Sequence, residues 1–326
     1  MKGNVHKAIV SAAANMLPPE VQEFLKSKEA NDAKTRLDYI LEGTVDEDSE
    51  KDKNPYLSAD PRKELPMISI NTPLGDIRLP DYMPHLEHFW NTQLEVGRKG
   101  LLVFGFGPFR TVFDRATEYW GKHVLENYRN HKFEQAWNCL GRVLHLLVDV
   151  GVPAHVHGDP HLAILGFIDD DDYEDYTGEQ VKNDCLPNKW NNIEGMIVYN
   201  QQWELNNYFR ELGEISRLYD SDDRDGLGEG RPYRWERGLT GLISGSGDIT
   251  GDLTDMACNA IARDLVPVTI RFVAGLFCHF FKSLSEENVL FNFPLHDLEV
   301  TVKSMHIYDC ADPSGTGEIF MTAFLD

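Results

Sequence analysis

Histidines and carboxylates crowd one stretch of this 326-residue chain, from His145 to Glu174. His145 and Asp149 are four residues apart, within a run whose apolar residues recur at helical spacing. Residues four apart lie on one face of a helix, so this imidazole and this carboxylate can share a cation. His155 follows Gly151, where we expect the helix to end. Imidazole and carboxylate together suit zinc, and the sequence therefore predicts a metal site.

The alternative for the first two of these residues is an ordinary core ion pair. His145 and Asp149 taken alone would favour that interpretation. The further histidines at His155, His157 and His161 follow within a few residues and favour a metal site instead.

More candidate ligands lie in the N-terminal half of the chain. His6 occupies the first turn of a predicted helix, where a solvent-exposed histidine is the ordinary expectation. Asp48 lies in an acidic run after Gly43, the residue at which we expect the helices of 20–42 to end. His88 is followed by two aromatic residues and is either a ligand or an edge-packed ring.

The order of these elements resembles that of the bacterial zinc-dependent phospholipase C family, whose helical fold is shared with single-strand nucleases. The central motif of that family is His-x3-Asp-x5-His, with proline two residues before the second histidine. In this chain the motif consists of His145, Asp149, Pro153 and His155. The other matching elements are His6 in the first helix, Asp48 in the acidic loop, His88 before the aromatic pair and Glu174 at a Tyr-Glu-x-aromatic helix start.

Two positions depart from the family pattern. The family has a histidine four residues before its last glutamate, and Asp170 occupies that position here. We favour His161 over Asp170 as the replacement ligand, with His157 as the third choice. The family also binds metal through its first residue, a tryptophan, and here Met1 lies five residues before His6.

The resemblance implies a site for up to three zinc ions. The ligands of the first ion would be Asp48, His88, His145 and Asp149. The ligands of the second would be His6, a bridging Asp149 and the chain start, and those of the third would be His155, Glu174 and His161. Clustered zinc ions neutralise phosphodiester oxygens and lower the pKa of a bound water towards about 7. Asp48 is then the candidate general base that orients the attacking water.

The function implied by the resemblance is that of a phosphodiesterase, a phospholipase C. It would hydrolyse phospholipids of the phosphatidylcholine type at a membrane surface to diacylglycerol and a phosphorylated headgroup, and it would be secreted. The net charge of -22 disfavours nucleic acid as a partner. The alternatives are a single-strand nuclease or 3′-nucleotidase with the same zinc site, and a catalytically weak, metal-stabilised binding protein.

Helical periodicity recurs through residue 283 and predicts an all-α fold. The resemblance implies that this fold is a multi-helix bundle of the phospholipase C/nuclease type. We expect this helical domain to occupy 1–283 and a β-hairpin tail, the start of a second domain or an extension, to occupy 284–326. A further hairpin is predicted within 58–84. The most apolar segment, 265–281, is too short to span a bilayer comfortably.

The remaining sequence observations concern the cysteines and the N-terminus. Five cysteines without a CxxC pair indicate neither a thiolate zinc site nor a disulfide framework. Cys139 and Cys278 lie in apolar helical stretches, where core packing is expected. No signal peptide is visible at the N-terminus.

Overall fold

A computed structural model of the chain describes residues 2–29, 32–48, 69–72, 75–78, 88–90, 111–157, 171–190, 193, 195–219, 221 and 253–286. Helices form nearly all the regular structure of these residues, which confirms the predicted all-α fold class. The helices are, in chain order, α1 (Gly3–Met16), α2 (Pro19–Lys26), α3 (Arg36–Asp46), α4 (Val112–Glu118), a π-helical segment (Tyr119–Leu125), α5 (Glu126–Arg129), α6 (Phe133–Val150), α7 (Pro153–His157), α8 (Asp172–Gln180), α9 (Leu205–Ser216) and α10 (Asp255–Glu286).

One antiparallel hairpin accompanies the helices. Strands β1 (Ser69–Thr72) and β2 (Gly75–Arg78) pair with Ser69 opposite Arg78. This hairpin falls within 58–84, where the sequence predicts one. The tail after Glu286 lies outside the described residues, so the division into two domains stays a prediction.

Helix α6 is the centre of the fold and is buried along most of its length. From Ala136 to Val150 all fifteen of its residues are buried, including Arg142, His145 and Asp149. Polar groups in such a place must be paired, because water cannot solvate them. The central helix therefore carries both the apolar core and the candidate ligands.

Helices α3 and α6 touch backbone to backbone, and this contact corrects one sequence prediction. Gly43 does not end its helix, because α3 continues to Asp46. A Cβ at Gly43 would collide with the carbonyl oxygen of Asn138, and one at Gly141 would collide with that of Ile40. Glycine serves close helix packing here, and the acidic run begins inside the helix instead of after it.

Helix α10 completes the core by packing against α1, α8 and α9. By length and composition alone Asp255–Leu284 could cross a membrane, yet 78% of its apolar window is buried inside the structure. Burial of this extent is typical of a core helix. Its Thr269 hydroxyl donates to the Leu265 carbonyl at 2.9 Å, one turn away.

Four cysteines fall among the described residues, and all four are free thiols. Cys139 is fully buried, as predicted, whereas Cys278 is partly buried and packs against the edge of the core. Cys185 is exposed, and Cys258 is buried in α10.

Candidate metal centre

Asp149 lies where the candidate ligands converge, one turn after His145 on α6. Its Oδ1 is 2.9 Å from His6 Nε2. Its Oδ2 is 2.7 Å from His88 Nδ1 and 3.1 Å from His145 Nε2. His155 Nδ1 lies 4.0 Å from the same oxygen. Four histidines from four parts of the chain thus surround one fully buried carboxylate.

Three of these histidines are oriented in the same way by a backbone carbonyl. Nδ1 of His6 donates to the Lys2 carbonyl at 3.3 Å, and Nδ1 of His145 donates to the Thr44 carbonyl at 2.7 Å. Nδ1 of His155 donates to a carbonyl at 2.9 Å, that of His88. Each ring therefore turns Nε2 into the cluster, the arrangement that second-shell carbonyls impose on metal-binding histidines.

The rings of the first two histidines are also stacked. The centroids of His6 and His145 are 3.8 Å apart with an interplanar angle of 3°. His6 is fully buried, which contradicts the solvent-exposed position expected for a first-turn histidine. The reason is that α1 packs against α10 and α3 and carries this ring into the core.

Asp48 and His88 complete the side of the cluster nearest α3. Asp48 Oδ1 lies 3.3 Å from His145 Nε2 and 3.8 Å from His88 Nδ1. The Asp48 side chain is 34% exposed, while that of His88 is 4% exposed. Asp48 is therefore the carboxylate through which this part of the cluster meets solvent.

Glu174 forms the opposite side, at the start of α8. Its Oε1 is 3.0 Å from His155 Nε2. Asp171 caps this helix by accepting from the Glu174 backbone N–H at 2.6 Å, and Asp172 accepts from the Leu253 N–H at 2.7 Å. These two bonds fix the first turn of α8, which carries the Glu174 side chain.

The side chains form three overlapping groups, in each of which the ligand atoms lie within 4.8 Å of one another. The groups are His6–His145–Asp149, Asp48–His88–His145 and Asp149–His155–Glu174. His145 and Asp149 each belong to two groups. Imidazole nitrogens and carboxylate oxygens in this density are the donor set of zinc and similar divalent ions, so the residues present fit such ions. Whether they bind metal stays a prediction.

The pKa values in the cluster indicate how it is charged. Burial, together with the neighbouring His145, lowers the pKa of His6 to about 4, and burial lowers that of His88. Burial also acts to lower the pKa of His145, but contacts with Asp48 and Asp149 outweigh it and raise that pKa well above its usual value. Burial likewise acts to raise the pKa of Asp149, but His145 together with the chain start, His155 and His6 outweighs it and holds that pKa well below the usual range. The pKa of His155 is raised as well, because Asp149 and Glu174 outweigh burial. His6 and His88 are thus neutral imidazoles, whereas His145 and His155 hold a proton more firmly, and a divalent cation can replace such a proton.

Three residues named in the sequence prediction lie outside the described residues: His161, Asp170 and Met1. The choice between His161 and Asp170 therefore stays open. His157, the third choice, is described: its Nε2 donates to the Tyr219 carbonyl at 2.6 Å. That bond ties His157 to the segment after α9, and this residue belongs to none of the three groups.

The buried ionic network behind the cluster was not predicted from the sequence. Glu47 accepts hydrogen bonds from Arg115 Nε and, at 3.0 Å, from Arg142 Nη1. The available signal was Arg142, a charged residue in the buried part of α6, one turn before His145. A buried arginine requires a carboxylate partner, but nothing in the sequence specifies which of the nearby acids it is.

Comparison with known proteins found similar chains among solved structures. No family model and no curated protein matches the sequence. Among solved structures, the fold resembles alpha toxin from Clostridium absonum with a TM-score of 0.47, 14% sequence identity and 86% of this chain covered. It also resembles alpha-toxin from an avian strain of Clostridium perfringens, with a TM-score of 0.47, 12% identity and 86% coverage. The chain spans 64% of the length of either toxin chain. The similarity is one of fold.

Proposed function

We propose that the protein is a zinc-dependent phosphodiesterase, and specifically a phospholipase C acting on phosphatidylcholine-type lipids. The observation that carries this proposal is the convergence of three overlapping histidine–carboxylate groups on His145 and Asp149. The order of the ligand motifs along the sequence supports the same assignment. Up to three zinc ions and a secreted location belong to the proposal as well.

The residues that would hold the ions are those of the three groups, with His161 as a further candidate. When bound, zinc supplies Lewis acidity for phosphate oxygens and lowers the pKa of water at the site. The chain then has to orient that water and the substrate. Asp48 is the carboxylate for this role, because it contacts His145 and is partly open to solvent.

Asp48 remains ionised throughout the neutral range. Burial acts to raise its pKa, but His145 and His88 outweigh burial and hold that pKa well below its usual value. Such a carboxylate accepts a hydrogen bond from the attacking water and aligns it with phosphorus. Attack forms a new P–O bond and breaks the bond to the glycerol oxygen. One proton of the water passes to that oxygen and yields diacylglycerol, while the hydroxyl group remains on the phosphorus of the phosphorylated headgroup.

The composition favours a lipid over nucleic acid as the substrate. A net charge of -22 repels a polyanion, whereas a choline headgroup carries a positive charge. A single-strand nuclease that uses the same groups is the second candidate. The directly testable difference is the type of phosphodiester that the purified protein hydrolyses.

The test uses zinc-loaded protein on phosphatidylcholine vesicles and, separately, on single-stranded DNA. We expect release of diacylglycerol and phosphocholine, and Asp48→Asn should lower the rate by roughly 10²- to 10⁴-fold. Glu174→Gln should also lower it, whereas Glu179→Gln, exposed on the same helix, should not. Hydrolysis of DNA alone would make the protein a nuclease. Bound zinc without hydrolysis of either substrate would favour the binding role.

A further inference from the structure

Glu47 is a buried carboxylate next to the candidate ligands that is engaged elsewhere. Its side chain is 0% exposed, and Arg115 and Arg142 are 7% and 0% exposed. Arg115 Nε donates to Oε1, and Arg142 Nη1 donates to Oε2 at 3.0 Å. By type and burial Glu47 could be a ligand, but two guanidinium groups occupy its oxygens. The trio carries one negative and two positive charges, a net charge of +1.

Of the two arginines, Arg142 also holds the backbone that leads to Asp48. Arg142 Nη1 also donates to the Asp46 carbonyl at 3.2 Å, and its Nε donates to Asn138 Oδ1 at 3.2 Å. Asn138 in turn donates to Asp46 Oδ2 at 2.8 Å. Helix α6 therefore holds the two residues directly before Asp48 in place. It does so through Arg142 and Asn138, which lie one and two turns before His145.

Glu47 also lies near the ring of His88, a candidate ligand, on the side away from Asp149. His88 Nε2 lies 3.8 Å from Glu47 Oε1, while its Nδ1 lies 2.7 Å from Asp149 Oδ2 on the other side. A carboxylate behind a histidine, opposite the metal-facing nitrogen, orients the ring and raises its basicity. At 3.8 Å this effect acts through charge and not through a direct hydrogen bond.

Tyr119 in the π-helical segment lies close to the guanidinium groups of both arginines. The Tyr119 ring centroid lies 5.6 Å from the Arg115 guanidinium carbon and 6.0 Å from that of Arg142. Cations at such distances from an aromatic ring are attracted to it. The guanidinium groups are thus held on several sides, so the position of Glu47 is well determined.

We propose that Glu47 is a positioning residue for metal binding. Held by Arg115 and Arg142, it fixes the backbone of Asp48 and the ring of His88. It thereby sets the affinity of the Asp48–His88–His145 group for a divalent cation. This inference rests on the metal centre of the proposed function and is independent of which phosphodiester is the substrate.

The test compares Glu47→Gln and Glu47→Asp with the wild type. Glutamine removes the charge and leaves two buried cations behind the site, while aspartate keeps the charge but shortens the side chain. We expect Glu47→Gln to weaken binding of one zinc ion by roughly 10- to 100-fold, with a smaller loss in Glu47→Asp. The matched control is Glu29→Gln, which disrupts the partly buried pair with Arg36 (2.8 Å) outside the cluster and should leave zinc affinity unchanged.

Zinc affinity is measured by competition with a chromophoric chelator, and the absorption spectrum of the cobalt-substituted protein reports the geometry of the site. A purely structural role would lower the melting temperature without altering the cobalt spectrum. Wild-type affinity and spectrum in folded Glu47→Gln and Glu47→Asp would overturn the inference. If the glutamine variant does not fold, the aspartate variant decides alone.

The inference and the proposed function fail in different ways. If the wild type binds no divalent cation, the positioning role is refuted. If it binds zinc and hydrolyses neither lipid nor DNA, only the proposed function is refuted, because the effect of Glu47 on zinc affinity is measured without substrate.

Discussion

Asp149→Asn is the substitution that tests the metal centre most directly. The asparagine has the same shape as the aspartate but no charge, and it replaces the one carboxylate that all four histidines approach. Two of the three candidate groups, His6–His145–Asp149 and Asp149–His155–Glu174, include this residue. We therefore expect the variant to lose the occupancy of two metal ions and nearly all activity.

The magnitude follows from the distances. Asp149 oxygens lie 2.9 and 3.1 Å from the nitrogens of His6 and His145, and the ligand atoms of the group with His155 and Glu174 lie within 4.8 Å of one another. A cation bound in either group therefore lies within about 4 Å of the carboxylate. At that distance and an effective dielectric constant of about 20, each unit charge pair is worth about 4 kcal/mol. Affinity for each of the two ions should fall by at least about 10³-fold.

The assay is elemental analysis after dialysis against zinc-buffered solution, combined with the hydrolysis rate. Asp264→Asn, an exposed carboxylate on α10, is the control and should retain the metal and rate of the wild type. Circular dichroism verifies that both variants fold. Wild-type zinc content and rate in folded Asp149→Asn would refute the ligand assignment.

Three further perturbations test the surroundings of the site. Gly43→Ala forces α3 away from α6, so it should destabilise the protein by about 1–3 kcal/mol in chemical denaturation and reduce the zinc content. The control Gly121→Ala, where a Cβ meets no atom within 4 Å, should change neither stability nor zinc content. Asp171→Ala removes the capping hydrogen bond to the Glu174 N–H, so it should lower the free energy of unfolding by about 1 kcal/mol and weaken zinc binding. Thr35→Ala removes a comparable cap on α3 and should lower stability without affecting zinc binding. Zinc affinity should fall as the pH is lowered through the pKa of His145, which is raised well above the usual value of about 6.5, because His145 must lose its proton to bind zinc. Calorimetry in buffers of different ionisation enthalpy measures the proton that is released.

Each of these expectations has a contradicting result. Unchanged stability in Gly43→Ala would mean that the two helices can separate without cost. Equal zinc loss in Asp171→Ala and Thr35→Ala would show a general effect of stability. Zinc binding that releases no proton between about pH 6 and 8 would contradict the protonated state of His145.

Local spacing explains what could be predicted from the sequence. His145 and Asp149 face the same way because an α-helix brings residues four apart together, and this holds in any fold. The end of α6 at Val150, shortly before Pro153, follows from the same kind of local rule. Helical periodicity likewise predicted the all-α class. These features depend only on neighbouring residues, so the sequence suffices for them.

The approach of α3 to α6 decided what the sequence could not. It made Gly43 a packing residue instead of a helix end, and it separated the roles of adjacent acids: Glu47 turns to two arginines, while Asp48 turns to His145. It was likewise the packing of α1 that buried His6 beside residues more than a hundred positions away. Which way a side chain points across a helix interface depends on the distance between two backbones, and that distance is a property of the assembled core and not of any local stretch of sequence.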